Sequence, residues 1–312
     1  MRFLFLFLFL SLSFISYADD FVEKVSLKSD LWGAGRIENI NLYNENFAPF
    51  FVNWQSNHYF SMLAIIALLA VITAFVIHYL IIGPKTFSHD GKKILAFKSI
   101  ERLVHLAAAI SWIILVPTGL ILMFGDTFGG GFFVRFCKNL HGIATIIFAI
   151  SLLPMFCFWL KRMLPAIYDI KWFMIVGGYL SKNKKPVPAG KFNAGQKAWF
   201  WVATAGGAVM ICTGAAMFFL DFDFGVATFF GLSQVEILRL SAIIHNILGA
   251  VCATFLMVHI YMAVFAIKGS IHSMITGFKE EEEVFLLHHF WYKELLQKGK
   301  IQKSEFENKY LA

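Results

Sequence analysis

The sequence predicts an all-α integral membrane protein, a four-helix bundle preceded by one additional membrane-spanning helix. Of 312 residues, 58% are hydrophobic and 17% aromatic while 15% are charged, a composition that no water-soluble core of this size calls for. The apolar residues gather into five segments, at about residues 59–82, 100–124, 140–160, 198–220 and 240–267. Each is long enough to cross a hydrocarbon layer of roughly 30 Å as a helix. The formal charge of +7 collects in the connecting segments, which speaks to membrane orientation and not to nucleic acid.

Taken in order, residues 1–18, MRFLFLFLFLSLSFISYA, read as a secretory signal peptide cleaved after Ala18, a short retained helix being the alternative. The arm at 19–57 mixes Trp32, Phe47, Phe50, Phe51 and Trp54 with acidic and amide residues. It is too short to bury a core of its own, so it is expected on the membrane surface or on a partner subunit. The additional helix, 59–82, then delivers the chain to a basic segment carrying Lys85, Lys92, Lys93 and Lys98. The bundle, 99–268, returns the chain outside at GDTFGGGFF and comes back at the loop from Lys161 to Lys197, the most basic in the chain. It exits again at DFDFGVATFFGLSQ, which has no Lys or Arg, and ends inside in a polar tail, 269–312. Counting positive charges on inner loops agrees with a signal peptide. Pro117 and Pro154 are expected to kink their helices, and the four cysteines read as packing residues.

The fifth segment, SAIIHNILGAVCATFLMVHIYMAVFAI, carries His245 and His259. Fourteen positions are nearly four helical turns, so both rings leave one face about 21 Å apart along the axis. Imidazole in hydrocarbon is costly and marks function, although contacts to neighbouring helices would also account for it. His141 opens the third segment at the depth of His245, and His105 lies in the second at the depth of His259. Two pairs at two depths fit two haems, each iron held by two axial histidines in a way that suits electron transfer, better than a four-ligand zinc site. Gly142 and Gly249 would let a porphyrin lie against backbone, and Arg239, Lys138, Arg102 and Lys268 could pair with propionates. His58, His78, His89, His272, His288 and His289 have no depth-matched partner and read as interfacial or tail residues.

GKFNAGQK, residues 190–197, precedes the fourth segment. A helix N-terminus offers unpaired N–H groups and partial positive charge to a carbonyl oxygen gaining negative charge on reduction. Asn193 and Gln196 add amides, and Gly195 opens backbone to a flat ring. The same residues also serve simply to cap a helix.

RLVH, LHGIA, GKFNAGQK, IHNILGA followed by VHIYMAV, KGSIHSMITG and HHFWYKEL together resemble the cytochrome b (gamma) subunit of membrane-bound respiratory formate dehydrogenases, over about residues 99–296. The resemblance implies a bundle with two haem b groups in the bacterial inner membrane, its mature N-terminus periplasmic and its C-terminus cytoplasmic. It implies His141 and His245 as ligands of the outer haem iron, His105 and His259 of the inner, and a menaquinone site at Asn193 and Gly195. Gln196 belongs to the same motif. The partners implied are an iron-sulfur subunit and a molybdenum- or tungsten-containing catalytic subunit. No residue of this chain would perform formate chemistry, so its place is in electron transport during anaerobic respiration. The signal sequence, arm and extra helix depart from the better-known pattern, and docking of the iron-sulfur subunit is one role they could fill. Two other readings stay open: the cytochrome b subunit of a nickel-iron hydrogenase or of a thiosulfate or polysulfide reductase, and a haem-free transporter or anchor.

Overall fold

A computed structural model of the chain describes residues 47–89, 92–219, 225 and 229–310. The signal-peptide reading and most of the arm lie outside these residues. Among the described residues, five helices are long and apolar enough to cross a membrane: α2 (Tyr59–Ile81), α3 (Ser99–Met123), α4 (Gly131–Met163), α6 (Ala194–Phe218) and α7 (Gln234–Ala266). The remaining helices are shorter: α1 (Ala48–Ser56), α5 (Ile167–Met174), α8 (His272–Ile275), α9 (Glu281–Leu287), α10 (His289–Gln297) and α11 (Phe306–Tyr310). The all-helical expectation holds apart from one small addition. Lys93–Leu95 pairs antiparallel with Phe278–Glu280, Lys93 facing Glu280, because two extended segments there satisfy each other's main-chain groups.

The observed spans differ from the hydropathic ones chiefly in α4. It starts at Gly131, after Gly129 and Gly130 at positive φ, and so takes in Arg135 and Lys138 before the apolar stretch begins. His141 therefore lies nearly three turns inside its helix instead of opening it. Pro117 and Pro154 sit within unbroken helices. In a membrane, neighbouring groups can satisfy the carbonyl that each proline leaves unpaired. A π-helical stretch, Val202–Gly206, lies inside α6, and α7 ends in another, Tyr261–Ala266.

The chain divides into two compact units. Among the described residues, the first comprises 47–65, 110–149 and part of 209–250. Its interior holds Trp112 edge-on against Phe148 at 5.2 Å. The described end of the arm forms α1, whose Phe50, Phe51 and Trp54 cluster around Phe60 with ring centres 5.2–6.5 Å away. These aromatics give a nine-residue helix a surface to bury, which its length alone would not stabilise.

The second unit comprises residues 66–109, 150–208 and 251–310, less the undescribed pair at 90–91. In it the tail, polar in its sequence, is packed. Every residue of α9 is buried. The three glutamates tolerate this because each is partnered. Glu281 accepts the Lys92 N–H at 3.2 Å, Glu282 takes Lys184 at 3.2 Å and Ser88 N–H at 2.5 Å, and Glu283 pairs with Lys279. The tail also bonds the loop that leads into GKFNAGQK, with Val187 N–H on Leu286 O at 2.7 Å and Phe290 N–H on Ala189 O at 3.0 Å.

Candidate functional site

In the first unit, His141 of α4 and His245 of α7 face each other with ring centres 6.3 Å apart. Each is held from behind by a threonine of a neighbouring helix. Thr118 Oγ1 is 2.9 Å from His141 Nδ1 and Thr213 Oγ1 is 2.9 Å from His245 Nδ1. Each hydroxyl gives its single proton to its own helix, Thr118 to Ile114 O at 2.7 Å and Thr213 to Val209 O at 2.8 Å. The hydroxyl must then accept from the imidazole, so Nδ1 carries the ring proton. Nε2 keeps its lone pair for a metal, the arrangement by which outer groups orient metal-binding histidines. The next residue, Gly119 or Gly214, lets the helix approach: a Cβ there would lie 3.4 Å from His141 Cε1 or 3.2 Å from His245 Cε1.

These four residues were missed by the sequence reading, although a repeated Thr-Gly pair stands in PTGLI and CTGAA. The glycines it singled out do other work. A Cβ at Gly142 would meet Phe218 at 3.4 Å, and one at Gly249 would meet Met210 at 3.5 Å.

In the second unit, His105 of α3 and His259 of α7 stand 6.2 Å apart, centre to centre. Aromatic rings border them: Trp199 stacks on His259 at 5.5 Å and 20°, and Trp159 lies edge-on to His105 at 6.4 Å. Trp159 is itself anchored through its indole N–H to Glu101 at 3.2 Å. Arg102, expected near a propionate, is engaged with Ser99 Oγ at 3.2 Å and with Ile275 O. In the first unit, Lys138, likewise expected near a propionate, lies over the Phe218 ring at 5.3 Å.

Also in the second unit, Asn193 and Gln196 form a reciprocal cap at the start of α6. Asn193 Oδ1 accepts the Gln196 N–H and Gln196 Oε1 accepts the Asn193 N–H, both at 2.9 Å. The flat ring that comes close to Gly195 is the protein's own, since a Cβ there would be 2.9 Å from Trp172 Cη2. Lys197 is buried on Asp169 of α5 at 2.7 Å. Among the other histidines, His288 is buried with Nδ1 donating to Gly190 O at 2.9 Å, and His78 bonds Tyr261 and the Tyr179 carbonyl.

Long apolar helices presenting facing histidine pairs define a multi-pass membrane cytochrome. Residues 96–277 match the family described as prokaryotic cytochrome b561, and the chain belongs to that family. Among its relatives is the cytochrome b556(Fdn) subunit of the nitrate-inducible formate dehydrogenase of Escherichia coli K12. The two are 29% identical over 224 residues, which is 70% of this chain and 98% of the relative. The cytochrome b556(fdo) subunit of formate dehydrogenase from the same strain is 24% identical over 68% of this chain and 97% of its own length. The formate dehydrogenase cytochrome b556 subunit of Haemophilus influenzae is 25% identical over 55% and 74%.

The family implies haem b, and the residues fit it. Two metal–nitrogen bonds of about 2 Å and roughly 1 Å from each nitrogen to its ring centre give about 6 Å, the spacing at both pairs. No group of three His, Cys, Asp or Glu side chains placed to hold a metal occurs among the described residues.

Proposed function

We propose that the chain is the membrane electron-transfer subunit of a formate dehydrogenase. In this reading His141 and His245 bind one b haem on the periplasmic side, and His105 and His259 bind a second toward the cytoplasm. Bound there, haem b supplies one-electron transfer between an iron-sulfur subunit outside and menaquinone inside, with a molybdenum or tungsten subunit oxidising formate. The observation that carries the reading is the ring spacing of the two histidine pairs, each joining residues from different helices.

The chain's own groups do the rest. Thr118 and Thr213 fix the tautomer of their histidines, and Trp159 and Trp199 exclude water from the other pair. Asn193, Gly195 and Gln196 shape the quinone-facing helix start, with the cap holding Asn193 rigid. The signal peptide at 1–18 and the placing of both termini belong to the same proposal.

Pyridine haemochrome analysis of the purified chain tests it. Two b haems are expected, falling to one in H245A and to one in H259A. Formate is expected to reduce both when the partner subunits copurify. A haem-free chain sinks the reading, and haem reduced by hydrogen but not by formate transfers it to a hydrogenase.

A further inference from the structure

Of the five spans among the described residues, the additional helix α2 is the least buried along its length. In its most apolar window 11% is buried, against 22–28% in the other four spans. Its last turns nevertheless make specific polar contacts. His78 Nε2 lies 3.0 Å from the Tyr179 carbonyl and Nδ1 lies 2.6 Å from the Tyr261 hydroxyl. A carbonyl only accepts, so Nε2 carries the proton and, in the neutral ring, Nδ1 accepts from Tyr261. Phe75, one turn earlier, stacks on the Tyr261 ring at 4.0 Å and 6°. Beyond the helix, Lys85 Nζ reaches Ser181 O at 2.9 Å.

His78 thus grips a strained turn. Val176, Gly177 and Gly178 all have positive φ, 47°, 58° and 69°. A β-branched residue held there costs on the order of 1–3 kcal/mol and persists only where surrounding contacts impose it, commonly at functional sites. The turn delivers Tyr179. Its ring is buried beside Trp172 at 6.1 Å, in space that a Cβ at Gly177 would fill. The phenol lies within reach of the Asn193 side chain. Asn193 Oδ1 is taken by the Gln196 N–H, so the amide NH2 is the group Asn193 has left to turn toward the phenol oxygen. A phenol oxygen approached by a donor still has its own proton to give. Burial and the nearby Glu283 raise the Tyr179 pKa, so that proton stays in place.

We propose that α2 completes the quinone site: His78 fixes the 176–179 turn so that Tyr179, braced by Asn193, donates a hydrogen bond to a quinone carbonyl oxygen. This rests on the quinone reading given above. Reduction of the quinone would take two electrons, which a haem held by His105 and His259 would supply one at a time, and two protons from water. Tyr179 keeps its proton and stabilises the charge developing on oxygen. Tyr179 is then a quinone-binding residue and His78 a positioning residue.

The test uses the full chain with its haems, in detergent, and 2,3-dimethyl-1,4-naphthoquinone as probe. Equilibrium binding of the oxidised probe and reduction of the haems by its quinol are both measured. In Y179F and H78F the dissociation constant and the KM for the quinol rise about tenfold. The haem content and the haem absorption bands stay unchanged in both, and the rate at saturation falls in Y179F, which loses the donor to the developing charge. H78Q, whose amide can still donate to the Tyr179 carbonyl, recovers binding to within about threefold. Should H78F lose haem through misfolding, Y179F decides alone, because it removes one oxygen from a ring packed by Trp172 and Gly177. Y179F binding as tightly as the unaltered chain overturns the proposal and leaves the quinone reading standing. An unaltered chain that binds no naphthoquinone and is not reduced by its quinol overturns both.

Discussion

Thr213 Oγ1 lies 2.9 Å from Nδ1 of His245 while giving its proton to Val209 O at 2.8 Å, and Thr118 stands in the same relation to His141. The pairing makes each threonine an orienting group for its histidine and, on the proposed reading, for a haem ligand. Valine has the same shape without the acceptor. T118V and T213V are therefore expected to weaken haem retention at this pair by about 10- to 100-fold, the usual cost of losing an orienting partner. Haem content after dialysis against apomyoglobin measures it. Retention equal to that of the unaltered chain would leave the threonines as mere helix-packing residues.

The adjacent glycines rank themselves by distance. A Cβ at position 214 would lie 3.2 Å from the His245 ring, one at 119 would lie 3.4 Å from the His141 ring, and both helices have little room to give. G214A is expected to lower haem occupancy more than G119A. Optical spectra of the two proteins purified side by side settle the order, and a reversed order would mean that backbone shifts, not ring contact, govern the site.

How much of this could be read from the sequence depends on where the signal lay. The five spans and the match of His141 with His245 and His105 with His259 follow from hydropathy and depth, which a linear sequence records directly. Thr118 and Thr213 escaped because threonine in a membrane helix ordinarily bonds its own carbonyl. That bond is present here, and only the facing helix reveals the second one. The first turns of α4 were lost because Arg135 and Lys138 end the apolar window although the backbone is already helical. The packing of the tail is hidden for a related reason. The Lys92 N–H and Lys184 are brought to Glu281 and Glu282 by distant parts of the chain, whereas Lys279 meets Glu283 from four residues away.

Lys197, the last residue of GKFNAGQK, is buried on Asp169 at 2.7 Å, with side-chain exposures of 6% and 10%. Asp169 Oδ2 also accepts the Ala166 N–H at 2.7 Å, while Oδ1 is buried with no hydrogen-bond partner among the described residues. A single removal leaves a buried charge uncompensated, which costs about 3–5 kcal/mol, whereas replacing both members with apolar residues is far milder. K197M is thus expected to melt well below the unaltered protein in a detergent thermal-shift assay. The double variant K197M/D169L should recover most of the loss. If the double variant is as unstable as the sum of its parts, the two residues are not coupled and the lysine of the motif acts elsewhere.

His288 gives the tail an acid limit. Its ring is enclosed, with Nδ1 donating to Gly190 O at 2.9 Å. Burial first, and Lys279 second, push its pKa down to about 3, against the opposing effect of the Gly190 bond. The unfolded value is about 6.5. Between these two values the released tail binds a proton that the packed tail excludes, so stability is intact above pH ~6.5 and falls as pH drops below it. Each pH unit in that window costs about 1.4 kcal/mol. Limited proteolysis between pH 7.5 and 5 is expected to cut the tail progressively faster, after correction for the protease's own pH dependence. In H288Q, which keeps an amide donor for Gly190 but has nothing to titrate, the rate should be nearly flat across the same range. Equal pH dependence in both proteins would clear His288 of the role and leave Glu282, whose pKa is lowered, as the group to test next.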